Sequence, residues 1–248
     1  MSGWVEGRIV EKKYWNPTLL SLRIEVPPFD FIPGQFVRIG VPTHDKPIFR
    51  AYSLVSQPTE SQIEFIITIV PDGLFTPTLN AMREGDTLLV TQPPSGFFTL
   101  KDVPPAHSMW MMSTGTGIGP FLSMLKSGQP WSTFERVVLV HAVRTAEDLC
   151  YQELIAEWQE THPQQFRYIP ILSRDHQANT LKGRIPHLIE NEQLEKAAGC
   201  KLDLSAQVML CGNPGMIQDT RQLLEARGMN LNLRRKPGHV TVEQYWKA

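Results

Sequence analysis

The feature that most constrains this chain is a change of character near residue 100. Before it, short runs alternate apolar and polar residues. In Leu20-Ser21-Leu22-Arg23-Ile24-Glu25-Val26 every second residue is apolar, the period of a strand with one face buried. Residues 62–70 behave similarly, with Ile63, Phe65, Ile67 and Ile69 expected on one face, and residues 51–55 form a further expected strand. Pro33-Gly34, Asp72-Gly73 and Glu84-Gly85-Asp86 mark turns between the runs. Short strands so closely punctuated predict a small antiparallel barrel.

After Pro104-Pro105 strands alternate with helices. Residues 109–113 are an apolar strand that enters a glycine-rich turn, and Pro120 suits the first turn of the helix expected next. Val137-Val138-Leu139-Val140-His141-Ala142-Val143 is a near-continuous apolar run, as in a strand buried on both faces. A helix over 148–161, strands over 166–172 and 208–211, and a helix over 214–227 follow. The expected architecture is an N-terminal antiparallel β-barrel over residues 1–100, then an α/β doubly wound parallel-sheet domain over 101–248. Ligands of such a sheet sit beyond the carboxyl ends of its strands.

Composition narrows the function. A formal net charge of −1 argues against a nucleic-acid partner. The densest apolar stretch, Phe65-Ile66-Ile67-Thr68-Ile69-Val70, is far short of the roughly 20 residues a membrane helix needs. Residues 1–8 lack the apolar region of a signal peptide. Cys150, Cys200 and Cys211 are odd in number and widely spaced, so neither a disulfide framework nor a metal set is expected. A reducing cytoplasm is the simplest setting.

Five clusters carry candidate chemistry. In Arg50-Ala51-Tyr52-Ser53 a guanidinium suits a pyrophosphate, an aromatic ring suits a flat heterocycle, and a hydroxyl suits a ring nitrogen. Simple alternation puts Tyr52 and Ser53 on opposite faces, so both reach one ligand only at a strand end or twist. Thr114-Gly115-Thr116-Gly117-Ile118-Gly119-Pro120 lets a ligand approach the backbone closely, and the helix start that follows favours phosphate. Its Gly-x-Gly-x-Gly spacing is not the Gly-x-Gly-x-x-Gly fingerprint. Arg144, Ser173-Arg174 and Gly183-Arg184 follow later strands. If those strands are neighbours, three cations and a hydroxyl converge on one phosphate monoester, such as the 2′-phosphate of NADP. Cys211-Gly212-Asn213-Pro214-Gly215-Met216 ends a strand and enters a helix. Residues 240–248 alternate and end in two aromatics, predicting a docked final strand. His141 reads as a satisfied core histidine, Trp4, Trp15 and Trp131 as packing, and Arg234-Arg235-Lys236 as a solvated loop able to attract an acidic partner.

Taken in order, these clusters resemble the ferredoxin–NADP+ reductase family, and more narrowly its bacterial flavodoxin/ferredoxin reductases of enterobacterial type. Pro33-Gly34-Gln35-Phe36, Val70-Pro71-Asp72-Gly73 and Arg235-Lys236-Pro237-Gly238-His239 extend the resemblance from Trp4 to Trp246. The resemblance implies FAD in a Greek-key barrel and NADP(H) on the sheet. For FAD it implies Arg50 at the pyrophosphate with Ala51 beside it, Tyr52 stacked on the isoalloxazine, and Ser53 near its reactive nitrogen. It further implies Ile66, Ile67, Thr68 and Ile69 along the flavin, Leu74, Phe75 and Thr76 at the phosphates, and Thr116, Tyr245 and Trp246 at the flavin. For NADP it implies Val143, Arg144, Ser173, Arg174 and Arg184 at the adenosine phosphate, with Asn213 and Pro214 nearby and Cys211 where nicotinamide enters. Tyr52, Ser53 and Cys211 are then the residues at the chemistry. Family members often carry alanine at the position of Gly117 or Gly119, and either change leaves a small residue, so the resemblance stands. Lys247-Ala248 extends past the terminal tryptophan of close relatives.

The implied activity is exchange of electrons between NADP(H) and ferredoxin or flavodoxin, by a monomer. Rival readings are the reductase component of an oxygenase system, an NAD(P)H:flavin reductase on the same fold, and a non-catalytic nucleotide-binding regulator. Three scattered cysteines exclude a fused iron–sulfur cluster.

Overall fold

The computed structural model describes residues 3–42 and 46–244. Packing divides the chain into two units, Met1–Thr99 with Gly119–Ser127, and Leu100–Ile118 with Gly128–Ala248.

The first unit holds β1 (Gly3–Asn16), β2 (Leu19–Glu25), β3 (Phe36–Val41), β4 (Ile48–Ser53), β5 (Ile63–Thr68), α1 (Phe75–Ala81) and β6 (Thr87–Gln92). The strands form one antiparallel sheet in the order β4-β3-β6-β1-β2-β5. The sheet curls until its ends nearly meet: just past β4, the Val55 N–H donates to the Glu64 carbonyl of β5 at 2.9 Å. Leu22, Ile24, Ile39, Phe65 and Val90 fill the interior.

Two strand expectations need correction. The strand over 51–55 is in fact Ile48–Ser53, because pairing with β3 begins at Val41↔Ile48 and the chain turns toward β5 after Ser53. The run over 62–70 is a strand only over Ile63–Thr68, and it is buried on both faces from Ile63 to Ile67. One cause lies at the end of the helix Gly119–Lys126, which packs with the barrel: Lys126 Nζ reaches the buried Glu64 carboxylate at 3.5 Å. In the same helix the Ser123 hydroxyl donates to the Ser56 carbonyl at 2.6 Å.

The second unit begins with β7 (Ser108–Thr114) and a 3-10 turn over Gly115–Ile118, from which the chain enters that helix, α2 (Gly119–Lys126). It continues through α3 (Gln129–Thr133), β8 (Arg136–Val143), α4 (Gln152–Thr161), β9 (Phe166–Leu172), β10 (Leu181–Lys182), α5 (Ile185–Glu190), α6 (Gln193–Ala198), β11 (Ala206–Gly212), α7 (Pro214–Ala226) and β12 (Val240–Gln244). All neighbours in the sheet β10-β9-β8-β7-β11-β12 are parallel. Trp110, Met112, Val138 and Val140 point alternately to one face, where residues of α5, α6 and α7 join them. α3 and α4 meet through Trp131 and Trp158, which both abut Phe166. The helix expected over 148–161 begins only at Gln152. A separate 3-10 turn precedes it, closed by a Thr145/Asp148 capping box, and Tyr151 between them sits at φ 58°. α7 ends at Ala226, one residue early. The final strand is described to Gln244, and Tyr245 and Trp246 lie outside the described residues.

Candidate functional site

On the barrel, the candidate residues gather where β4 ends. Ser53 is the last residue of β4, which is the strand-end position that lets it and Tyr52 address one ligand. The Tyr52 ring lies 5.7 Å from that of Phe75 and 6.4 Å from that of Phe65, so β4, β5 and α1 share one aromatic cluster. Burial raises the Tyr52 phenol well above its ordinary pKa, opposed by the Arg50 guanidinium, so the hydroxyl stays protonated. Arg50 and Ala51 are exposed, and Arg50 donates to the Phe49 carbonyl at 2.7 Å. Ile66, Ile67 and Thr68 occupy β5, and Ile69 follows with its N–H on the Thr18 carbonyl at 2.7 Å. The helix α1 starts at Phe75, inside the run Leu74-Phe75-Thr76. Thr76 ties it back to β5, its hydroxyl oxygen accepting from the Val70 N–H at 2.8 Å. Beside these, Leu74 and Val70 are 73% and 53% exposed. An aromatic ring, a free apolar ledge and an adjacent guanidinium are what a flat heterocycle with a phosphate tail requires.

On the sheet, the candidate residues line the carboxyl edge. β7 continues to β8 on one side while β11 lies on its other side, so the crevice between the ends of β7 and β11 is the topological switch point. The two strand ends interlock there. The Asn213 N–H donates to Thr114 Oγ1 at 2.8 Å, and the Asn213 side chain caps α7 by accepting from the Met216 N–H at 3.1 Å. Pro214 opens that helix. A Cβ on Gly117 would stand 2.5 Å from the Cys211 carbonyl oxygen, so Gly117 lets the turn lie flush on β11. Alanine at Gly117 therefore requires backbone movement in this chain. Cys211 is fully buried, Gly115 is exposed and Thr116 is half-buried.

The arginines lie on three stitched loops. β8, β9 and β10 are neighbours. The Ser173 N–H donates to the Val143 carbonyl at 3.0 Å, the Arg174 N–H to the Arg144 carbonyl at 2.9 Å, and the Gly183 N–H to the Leu172 carbonyl at 3.0 Å. The loop after β8 is also held by Asp175, which accepts from the Ala146 N–H at 3.2 Å. Asp175 has its carboxyl pKa lowered by the His176 and Ala146 amides.

Two contributors to this edge are not legible as such in the sequence. Thr114 reads only as part of the glycine run, yet its hydroxyl joins the end of β7 to the residue that follows β11. His141 reads as a satisfied core residue but is only half satisfied: Nε2 lies 3.0 Å from the Gly115 carbonyl, while Nδ1 is buried with no hydrogen-bond partner among the described residues.

Residues 8–99 match the model of the oxidoreductase FAD-binding domain, and residues 111–222 that of the oxidoreductase NAD-binding domain. The flavodoxin/ferredoxin–NADP reductase of Escherichia coli K12 is 42% identical over 99% of this chain and 100% of its own. The chain belongs to the flavodoxin/ferredoxin–NADP reductase family. The ferredoxin–NADP reductase of Pseudomonas aeruginosa is 32% identical, with 98% of each chain covered. Among solved structures, a ferredoxin NADP+ reductase from Neisseria gonorrhoeae with bound FAD and NADP superimposes with a TM-score of 0.93 at 33% identity, covering 98% of this chain and 99% of that one. Among the described residues of this reductase, no helix is long and apolar enough to cross a membrane.

Proposed function

We propose that this reductase exchanges electrons between NADP(H) and a one-electron carrier, ferredoxin or flavodoxin, by hydride transfer between nicotinamide and FAD. The observation that carries the reading is the order of loops along the sheet edge. The arginine loops after β10, β9 and β8 are followed by the glycine turn after β7, then by Cys211 and Asn213 at β11. Neighbouring strands lie about 4.8 Å apart, so β9 is roughly 10 Å from β7 and roughly 14 Å from β11. An extended dinucleotide anchored by its 2′-phosphate at Arg144, Ser173, Arg174 and Arg184 spans that row. Its pyrophosphate then falls at the glycine turn and its nicotinamide at Cys211.

We assign residues 1–100 to FAD and 101–248 to NADP. On the barrel, Arg50 holds the pyrophosphate, Tyr52 stacks on the isoalloxazine, and Ser53 hydrogen-bonds near its reactive nitrogen. The backbone of 66–69 lines the ring, Leu74, Phe75 and Thr76 meet the phosphates, and Thr116, Tyr245 and Trp246 complete the flavin contacts. On the sheet, Val143, Asn213 and Pro214 flank the dinucleotide. Bound FAD supplies the conversion between two-electron hydride chemistry and single-electron delivery. The residues position and exclude water, and no general base is required. The exposed turn at Arg234 and Arg235, where Leu233 and Lys236 bond each other at 2.9 and 3.0 Å, suits an acidic carrier. A cytoplasmic monomer, with neither membrane nor nucleic acid as partner, fits this chemistry.

The test is stopped-flow bleaching of the FAD-loaded protein by NADPH and by NADH, followed by carrier reduction. Fast bleaching with a strong NADPH preference, and electron delivery to ferredoxin or flavodoxin, is expected. Absence of bound flavin, or of bleaching by either nucleotide, overturns the reading.

A further inference from the structure

His141 lies on β8, fully buried, opposite Ser113 and Pro170 in the parallel ladders. Its Nε2 is 3.0 Å from the carbonyl of Gly115, the first residue of the glycine turn. A carbonyl can only accept, so Nε2 carries the proton and Nδ1 is the bare acceptor. That Nδ1 is buried without a partner among the described residues, a cost an apolar side chain would not carry. What the ring gives in return is the hold on Gly115.

That hold has a directional consequence. The peptide linking Gly115 to Thr116 is trans, the one cis bond among the described residues being Gln92-Pro93. In a planar trans peptide the C=O and N–H point opposite ways. A carbonyl drawn inward to His141 therefore turns the next N–H, that of Thr116, outward. Gly115 itself is exposed at φ 53°, and among the described residues a Cβ built on it meets nothing within 4 Å. Ser113 steadies the approach, its hydroxyl donating to the Val140 carbonyl at 3.0 Å.

We infer that His141 is a positioning residue that, through Gly115, aims the Thr116 N–H at the pyrophosphate of the nicotinamide dinucleotide. The inference rests on the reading of the sheet edge given above. It acts through the backbone, since both ring nitrogens are sequestered from ligand.

The test uses FAD-loaded protein with His141→Leu, His141→Asn and His141→Gln. Glutamine places an amide N–H where Nε2 stood, whereas asparagine is one methylene short. Binding of NADP+ and of adenosine 2′,5′-bisphosphate is measured by titration, and NADPH kinetics by stopped flow. The bisphosphate engages the arginine loops but has no pyrophosphate. Leu and Asn are expected to weaken NADP+ about tenfold, the worth of one hydrogen bond to a charged group. They should leave the bisphosphate unchanged, and raise KM for NADPH more than they lower the saturated reduction rate. Gln should restore most of the loss. Equal weakening of both ligands, no weakening, or Gln no better than Asn overturns the inference. If the Leu variant does not fold, the Gln/Asn contrast decides alone. A parent protein that binds no NADP+ refutes the functional reading itself, whereas a binding parent with indifferent variants refutes only the role of His141.

Discussion

Replacing Gly212 by alanine tests whether the interlock between β7 and β11 is as tight as the geometry says. Gly212 is buried at φ 126°, a conformation side chains rarely adopt. A Cβ there runs into the Thr114 hydroxyl and stands 2.8 Å from the Thr114 carbonyl oxygen. Reaching ordinary contact at 3.4 Å requires a separation of about 0.6 Å at the carbonyl alone. The left-handed backbone costs about 1–2 kcal/mol and the overpacking a further 1–3 kcal/mol or so. For a chain of this size that sum lowers Tm by roughly 5–15 °C. The same movement displaces Cys211 and Asn213, and a misplacement near 1 Å can cost about 10²-fold in rate. Gly128→Ala is the matched control, because Gly128 sits at φ 80° with nothing within 4 Å of an added Cβ. It should lose only the backbone contribution of about 1–2 kcal/mol and keep the rate of flavin reduction. Calorimetry and stopped-flow reduction by NADPH, run on both variants, decide the matter. Equal stability of the two variants with unchanged reduction by Gly212→Ala would refute the reasoning.

Other expectations follow from neighbouring features. Arg174→Ala and Arg184→Ala should each weaken NADPH binding by about 10–100-fold through loss of a charged hydrogen bond, leaving NADH kinetics unchanged. Ser53→Ala should slow hydride transfer in stopped flow while FAD stays bound, and an unchanged rate would remove Ser53 from the chemistry. Lys126→Met removes a cation from the buried Glu64 carboxylate, which is 4% exposed. It should lower stability by about 1–3 kcal/mol in urea titrations. Burial pushes the His141 pKa down to about 4 from 6.5. The unfolded chain therefore takes up this proton first as pH falls. The stability that the neutral ring contributes is complete above pH 6.5 and is lost between pH 6.5 and about 4, an effect of roughly 3 kcal/mol. That acid limb should be absent from His141→Gln.

The alternation of residues 20–26 and the apolar run 137–143 disclosed both architectures, because period-two patterning and two-sided burial leave direct marks in composition. The arginines were legible as a set only conditionally. Their placement on one edge depends on β8, β9 and β10 being neighbours, which no local pattern encodes. The strand over 51–55 was misplaced because β4 is an edge strand whose limits are set by its partner β3, not by its own residues. Glu64 shows the same limit. A charged residue in an alternating run reads as exposed, and its burial is explained by cations on other elements, Arg23 on β2 at 3.7 Å and Lys126 on α2, some sixty residues later, at 3.5 Å. His141 and Thr114 were obscured for the opposite reason. Each looks ordinary in its own segment, and its meaning lies in a backbone group just past the end of another strand.

The position of α2 bears on how the protein is born. The chain completes six barrel strands by Gln92, runs one strand of the parallel sheet, and only then supplies Phe121, Ser123 and Lys126 to the barrel. A nascent chain stopped at Thr99 lacks that helix, with Ser56 and Glu64 deprived of their contacts to it. Domains tend to fold as units in order of synthesis. Here the amino-terminal unit cannot finish until translation has passed Ser127, well inside the second. Severing the chain at residue 99 would thus yield an unfinished fragment. A self-sufficient barrel would need residues 119–127 spliced to its end, a rearrangement in which the boundary of autonomy is not a point along the sequence.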